Sequence, residues 1–378
     1  MQKKTLSPAG IPLMLLTWLW ACTTAFAEPY LAVRTGFKCS QCHVNMSGGG
    51  KRTEFGVIYT QTFLPWKQVR TQSQKSFFNG HVNDQISFGM NLRVVNQTTF
   101  GVDRPRRSYQ RDNSLDITEG NLYLQMEVIK DLLSIYLDET ITPGSASNRE
   151  SFVLVKNLPL NAYLKAGRLL LPYGLRLLDD DSFIRQKTGF NYDNQDLGAE
   201  IGFEPGPFSL SVAGSNGTQG GAEVNLDKQF SAVGSVVLRH LRVGGSFSRN
   251  RVAQTLTYTY GGFAGLNVGR FTLLGEADII EERVKGQEKN REKFGDQLAA
   301  FAELDFLLTQ GINLKTAYDF YDPRRKLKED ERNRLTVGLE AFLTQFLQFR
   351  GLYRFAESVP QKPREREDQL ILEIHAFF

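Results

Sequence analysis

From Asp84 to the C-terminus apolar and polar residues alternate with period two, the pattern of strands that bury one face only. In the first run Ile86, Phe88, Met90, Leu92 and Val94 point one way, and Gln85, Ser87, Asn91 and Arg93 point the other. Later runs set Phe271, Leu273, Ala277 and Ile279 against Glu276 and Asp278, and Leu347, Phe349, Tyr353 and Phe355 against Gln348, Arg350 and Arg354. Sixteen runs emerge, near 84–95, 115–129, 132–140, 150–157, 160–170, 196–204, 208–215, 229–239, 241–249, 255–267, 270–281, 296–307, 311–321, 333–343, 346–356 and 367–378. Tight turns such as Lys130-Asp131, Pro205-Gly206-Pro207 and Thr309-Gln310 alternate with longer polar segments at 96–114, 171–195, 216–228, 282–295, 322–332 and 357–366. Short connections on one rim and long loops on the other predict an all-β fold, a transmembrane β-barrel of about 16 antiparallel strands. A soluble β-sandwich also alternates, but it does not call for that regularity of loop length.

The chain has 378 residues, 23% charged and 41% hydrophobic, which excludes a disordered chain. After residue 30 no stretch approaches the roughly 20 apolar residues of a spanning helix. The first 27 residues read as a signal peptide: Lys3 and Lys4, an apolar run from Ile11 to Ala21, and the small-x-small site Ala25-Phe26-Ala27. Leu19-Trp20-Ala21-Cys22 is a weaker lipobox-like alternative. Cleavage would remove two of the formal four positive charges and leave about +2, which is no nucleic-acid footprint.

Beyond residue 27 the cysteines are Cys39 and Cys42, in the run Cys39-Ser40-Gln41-Cys42-His43. This is the attachment signature of c-type haem. Two thiols one turn apart suit the two vinyl groups of one porphyrin, and His43 would ligate iron on the proximal face. A zinc site would need more Cys or His nearby, and the next His, His81, is 38 residues further on. A Cys39–Cys42 redox disulfide would call for a βαβ context that the sequence lacks. The sequence therefore divides into a signal peptide (1–27), a monohaem cytochrome c segment (28–75) and a barrel (76–378). A segment so short cannot enclose a porphyrin by itself. It is expected to plug the lumen, with the barrel completing the haem pocket.

The residues around the motif carry a resemblance. Pro29, Ala32 and Thr35-Gly36 precede Cys39, and Phe55-Gly56 follows. This resembles the fused monohaem cytochrome–porins, the family that includes outer-membrane iron-oxidising cytochromes. Gly167-Arg168-Leu169-Leu170-Leu171-Pro172-Tyr173-Gly174 is loosely similar to a segment of phosphate-selective-type porins, although Pro172 and Gly174 also read simply as the start of a loop. The last run, Leu370 to Phe378, is similar to the terminal assembly signal of bacterial outer-membrane barrels. These resemblances imply a Gram-negative outer-membrane protein in contact with lipid. One lumen-held haem c would pass electrons between an extracellular donor or acceptor, such as Fe(II), and a periplasmic cytochrome or other carrier. The alternative is a passive or anion-selective diffusion porin with an accessory haem.

Parity names the distal-ligand candidates. If strand one extends far enough, His81 falls on its lumen side at the periplasmic entrance, and His375 faces the lumen near the end of the last strand. His81 is the stronger expectation and His375 the weaker. Met46 is too near His43 to reach the opposite face, Met90 and Met126 fall on the lipid side, and His240 lies in a turn elsewhere. Glu127, Glu276, Asp278 and Asp319 are acidic lumen positions that could contact a cation, or be ordinary paired lumen charges.

Overall fold

The computed structural model describes residues 28–69, 78–103, 108–142, 144, 146–179, 181–192, 194–223, 226–284, 295–357 and 367–378. Residues 1–27, expected to be a signal peptide, and the Arg104–Arg107 stretch lie outside the described residues. Sixteen strands form a closed barrel in which each pairs antiparallel with its neighbour in sequence. They are β1 (Ile86–Asp103), β2 (Ser108–Ile129), β3 (Leu133–Thr142), β4 (Ser147–Leu158), β5 (Ala162–Leu170), β6 (Gln195–Phe203), β7 (Phe208–Ser215) and β8 (Gln229–Val237). They continue with β9 (Leu241–Val252), β10 (Thr255–Val268), β11 (Phe271–Val284), β12 (Asp296–Thr309), β13 (Ile312–Asp322), β14 (Arg332–Ala341), β15 (Leu347–Glu357) and β16 (Glu367–Phe377). Closure joins β1 to β16 in a register that runs from Asn91 opposite Phe377 to Gly101 opposite Glu367. Closing the sheet leaves no open edge, so every strand finds both partners.

The alternation survives as inside and outside. Ser87, Gly89, Asn91 and Arg93 are buried toward the lumen, whereas Leu122, Leu124, Leu273 and Ile374 are exposed on the outer wall. One expectation needs correction: residues 96–103 and 108–114 are strand, not loop. β1 and β2 run past the apolar belt because a polar ladder holds them, with Asn113 Nδ2 donating to Thr98 Oγ1 at 2.7 Å. Pairing needs no apolar face where water reaches both sides.

Two segments fold into the lumen. The first contains α1 (Pro29–Thr35), α2 (Cys39–Cys42) and α3 (Glu54–Thr62). Pro29 starts α1, where its missing N–H costs nothing. Gly36 ends it at φ +75°, and a Cβ there would stand 2.8 Å from Arg239 Cα in the β8–β9 turn. The second lies between β5 and β6 and contains α4 (Phe183–Gln186). Tyr30, Leu31, Leu175, Phe183 and Ile184 from the two segments share an apolar core with wall residues such as Phe263 and Phe301. A second core gathers Val44, Tyr136, Phe152, Tyr163 and Leu171.

Candidate functional site

The Cys39–His43 run is built by local hydrogen bonds. Lys38 N donates to Gln41 Oε1 at 2.9 Å, which caps the single turn of α2, and His43 N donates to Cys39 O at 2.9 Å. Val44 N then donates to Lys51 O at 2.9 Å and His43 bridges to Arg52, so Asn45–Gly50 form a small loop over the motif. Thr53 caps α3 by accepting from Gly56 N at 3.1 Å. Gly56 lies so close to α2 that a Cβ would collide with the Cys42 carbonyl oxygen.

The wall holds this segment from several sides. Arg350 on β15 donates to Glu28 at 3.0 Å, and Tyr30 donates to Glu340 on β14. Arg34 donates to Asn313 on β13 at 3.0 Å. Lys38 Nζ donates to Phe208 O on β7 at 2.7 Å, and Asn45 donates to Glu150 on β4 at 2.7 Å. Lys51 N donates to Tyr136 Oη on β3 at 3.0 Å. The segment thus touches wall strands around much of the barrel's circumference.

From the other side, the β5–β6 segment is tied inward by lumen acids. Tyr173 Oη donates to Asp278 at 2.8 Å, Leu175 N to Glu276 at 2.5 Å, and Ser182 Oγ to Asp319 at 2.6 Å. Arg185 adds an ion pair to Glu276 at 3.4 Å. Three of the four acidic lumen positions singled out in the sequence therefore anchor a loop, and the fourth, Glu127, pairs with Lys156 at 3.0 Å.

Between the two segments and the wall lies a cavity with about 1190 Å³ of space free of protein atoms, its open mouth included. Cys39, Cys42 and His43 line it, facing Pro172, Tyr173 and Gly174, the residues singled out as a porin-like loop start. Met46, Tyr59, Arg176, Tyr192, Glu204 and Arg242 also line it. Arg242 approaches Cys39 Sγ to 3.8 Å. His43 is buried, and its Nδ1 has no hydrogen-bond partner among the described residues. Burial first, and the Arg52 charge second, push the imidazole down to about 3, so it is neutral and keeps a lone pair for an electrophile. Burial pushes the Cys42 thiol up to about 11, which keeps it protonated at neutral pH.

The structure does not bring the two distal-ligand candidates to this cavity. His81 is exposed on the segment before β1, which starts only at Ile86, and it bridges to Ser87. His375 does face the lumen and is fully buried, but its Nδ1 lies 3.2 Å from Gln348 Oε1 and its Nε2 lies 2.6 Å from Asn91 Oδ1. Both ring nitrogens are therefore engaged. His240 lies exposed in the β8–β9 turn. Met46, set aside from the sequence as too near His43, lines the cavity because the Asn45–Gly50 loop folds back over it. Arg242 was legible: Leu241 and Val243 flank it on the outward face of β9. Tyr59 and Arg176 carried no signal, since helix packing and loop insertion place them.

No protein-family model matches the chain, and no curated protein matches it in sequence. Solved structures do match in fold. OmpT of Vibrio cholerae is 11% identical, with a TM-score of 0.57 over 79% of this chain and 99% of that one. An anion-selective porin from Comamonas acidovorans is 11% identical, with a TM-score of 0.61 over 78% of this chain and 100% of that one. OmpF of Salmonella typhi, in a complex with daunomycin, is 11% identical, with a TM-score of 0.55 over 79% of this chain and 99% of that one. The fold is that of porin-like outer-membrane barrels.

Proposed function

We propose that this chain is a Gram-negative outer-membrane barrel holding one covalent haem c in its lumen, and that it passes single electrons across the membrane. The observation that carries the reading is that Cys39, Cys42 and His43 line one cavity between the two inward segments and the barrel wall. The residues fit the group by their chemistry: two thiols one helical turn apart and a buried imidazole whose Nδ1 has no hydrogen-bond partner among the described residues, all lining one cavity. Cys39 and Cys42 would hold the group through thioethers, and His43 would ligate its iron. When bound, haem supplies reversible one-electron chemistry. The chain's own part is to keep His43 neutral and oriented, to cover one side of the cavity with Pro172–Arg176, and to set Arg242 beside Cys39. Fe(II) outside the cell and a soluble carrier in the periplasm are the donor and acceptor this reading expects.

The comparisons support the second reading, a passive or anion-selective diffusion porin, because the fold neighbours are porins and one is anion-selective. Against a wide passive channel stand the two segments tied across the lumen.

On the purified protein, haem content tests the attachment, and haem reduction together with ion conductance separates the two readings. Pyridine haemochrome absorbance with haem-stained denaturing gels is expected to show one covalent haem, lost in Cys39→Ser. Proteoliposomes are expected to show fast haem reduction by external Fe(II), with low ion conductance in planar bilayers. Porin-sized conductance together with haem that external donors do not reduce would overturn electron transfer and establish the diffusion reading.

A further inference from the structure

Helix α3 turns two large apolar side chains, Phe55 and Ile58, outward while the polar Thr60 and Gln61 are buried. Gly56, Val57, Thr60 and Gln61 are buried, while Phe55, Ile58 and, just past the helix, Phe63 are exposed, Phe63 by 67%. Trp66 and Val69 continue the exposure. Lipid explains exposed leucines on barrel strands, but these residues sit on the segment at the barrel mouth. Gln310 Nε2 donates to Pro65 O at 3.1 Å and Trp66 N donates to Phe342 O at 2.6 Å, which ties this stretch to the β12–β13 and β14–β15 turns. Those turns belong to the short-turn rim, the periplasmic one in outer-membrane barrels. A contiguous apolar face in water marks an interaction site.

Ring contacts connect this face to the cavity. Phe37 and Tyr59 line the cavity with Cys39 and Cys42. Phe37 meets Phe55 edge-on at 5.2 Å and Tyr59 at 5.7 Å, and Tyr59 stacks on Phe63 at 5.6 Å. The surroundings carry positive charge. Lys67 Nζ lies 4.8 Å from the Trp66 ring centroid. Arg239, exposed in the β8–β9 turn, has its backbone against Gly36, next to Phe37. Arg270 is exposed in the β10–β11 turn. On α3 itself the exposed acid is Glu54.

We propose that the Phe55–Ile58–Phe63–Trp66 face is the docking site of a soluble periplasmic one-electron carrier whose cofactor edge is ringed by acidic residues. The proposal rests on the electron-transfer reading above. Apolar contact would seat the carrier over Phe63, the rim cations would steer it in, and the rings bridge the remaining distance to the cavity.

The test uses the full-length protein in nanodiscs, with haem content read by pyridine haemochrome. After reduction with dithionite and removal of the excess, oxidised plastocyanin, an acidic blue-copper protein, serves as probe. Each transfer takes one electron from the bound haem and converts one cupric ion to cuprous, with no proton moved. Ferricyanide is the small-molecule control. The triple variant F55S/I58S/F63S is expected to lower the second-order rate with plastocyanin at least tenfold and to leave the ferricyanide rate unchanged. K67E/R239E, which keeps the apolar face, is expected to slow plastocyanin similarly and to flatten its salt dependence. This second variant also decides the question if the triple variant does not assemble. Equal plastocyanin rates in the wild type and the charge-reversal variant, at equal haem content, would overturn the docking site alone. Absence of a haemochrome signal would instead overturn the electron-transfer reading, and this proposal with it. Trp66 is the single tryptophan after residue 27, so strong quenching of its fluorescence by brominated lipid would show the face buried in bilayer and also overturn the proposal.

Discussion

Arg242, on the lumen side of β9, holds its Nη1 3.8 Å from Sγ of Cys39, a residue 203 positions earlier in the chain. A cation there favours whichever state of a bound cofactor carries less positive charge. Replacing Arg242 by Gln is therefore expected to lower the haem midpoint potential. The coupling of a partly buried cation to a cofactor in this cavity is worth on the order of 1 kcal/mol once solvent screening is allowed for. Spectroelectrochemical titration checks it, and R242K should keep most of the wild-type value.

Gly56 brings α3 against the Cys42 end of α2. Gly56→Ala places a methyl against the Cys42 carbonyl, and backbone cannot yield as a flexible side chain can. The expected result is a severalfold loss of covalent haem on a stained gel. Barrel assembly, read as heat-modifiable mobility, should stay intact because the strands take no part in the clash.

Lys51 is buried, and its ammonium is pushed down to about 8, chiefly by burial, with the Glu127 charge acting the other way. Between pH 8 and 10.5 the undocked segment binds more protons than the docked one. Docking therefore strengthens as pH rises through that window, and the cost is fully present below it. The shift corresponds to roughly 3 kcal/mol at most. Hydrogen exchange, corrected for intrinsic rates, should show protection of residues 28–69 rising over this range in the wild type. Lys51→Met should abolish the rise and give higher protection at pH 7.

Tyr136 is fully buried, and its hydroxyl accepts from Lys51 N at 3.0 Å. Tyr136→Phe leaves that N–H without its partner and is expected to weaken docking by about 1–2 kcal/mol. The same exchange experiment should show faster exchange confined to the loop around residues 45–52.

Glu276 anchors the β5–β6 loop at Leu175 N and Arg185. The triple variant E276A/D278A/D319A removes all three lumen acids that tie the loop to the wall and strands the buried Arg185 guanidinium. Single-channel conductance in planar bilayers should rise severalfold. Unchanged conductance would mean that this segment does not limit the passage.

Much of this protein was readable along the chain. A β-strand turns successive side chains to opposite faces, so alternation alone placed all sixteen strands, put Ser87 and Arg93 inside and Leu273 outside, and placed His375 toward the lumen. The Cys39-x-x-Cys42-His43 spacing was likewise local, because one helical turn sets it. Period-two parity says which face a residue takes, but not what it meets there. It could not show that Asn91 and Gln348 engage both nitrogens of His375, that β1 begins too late to carry His81 inward, or that β1 and β2 continue on polar pairs beyond the apolar belt. Nor could it show that Pro172-Tyr173-Gly174 folds back to line the same cavity as Cys39, since one ion pair and two hydrogen bonds to residues about a hundred positions away hold that loop. Strand parity and helical turns are properties of the backbone and repeat wherever the chain runs. The cavity arises where two inward segments happen to meet, and only closure of the barrel determines that.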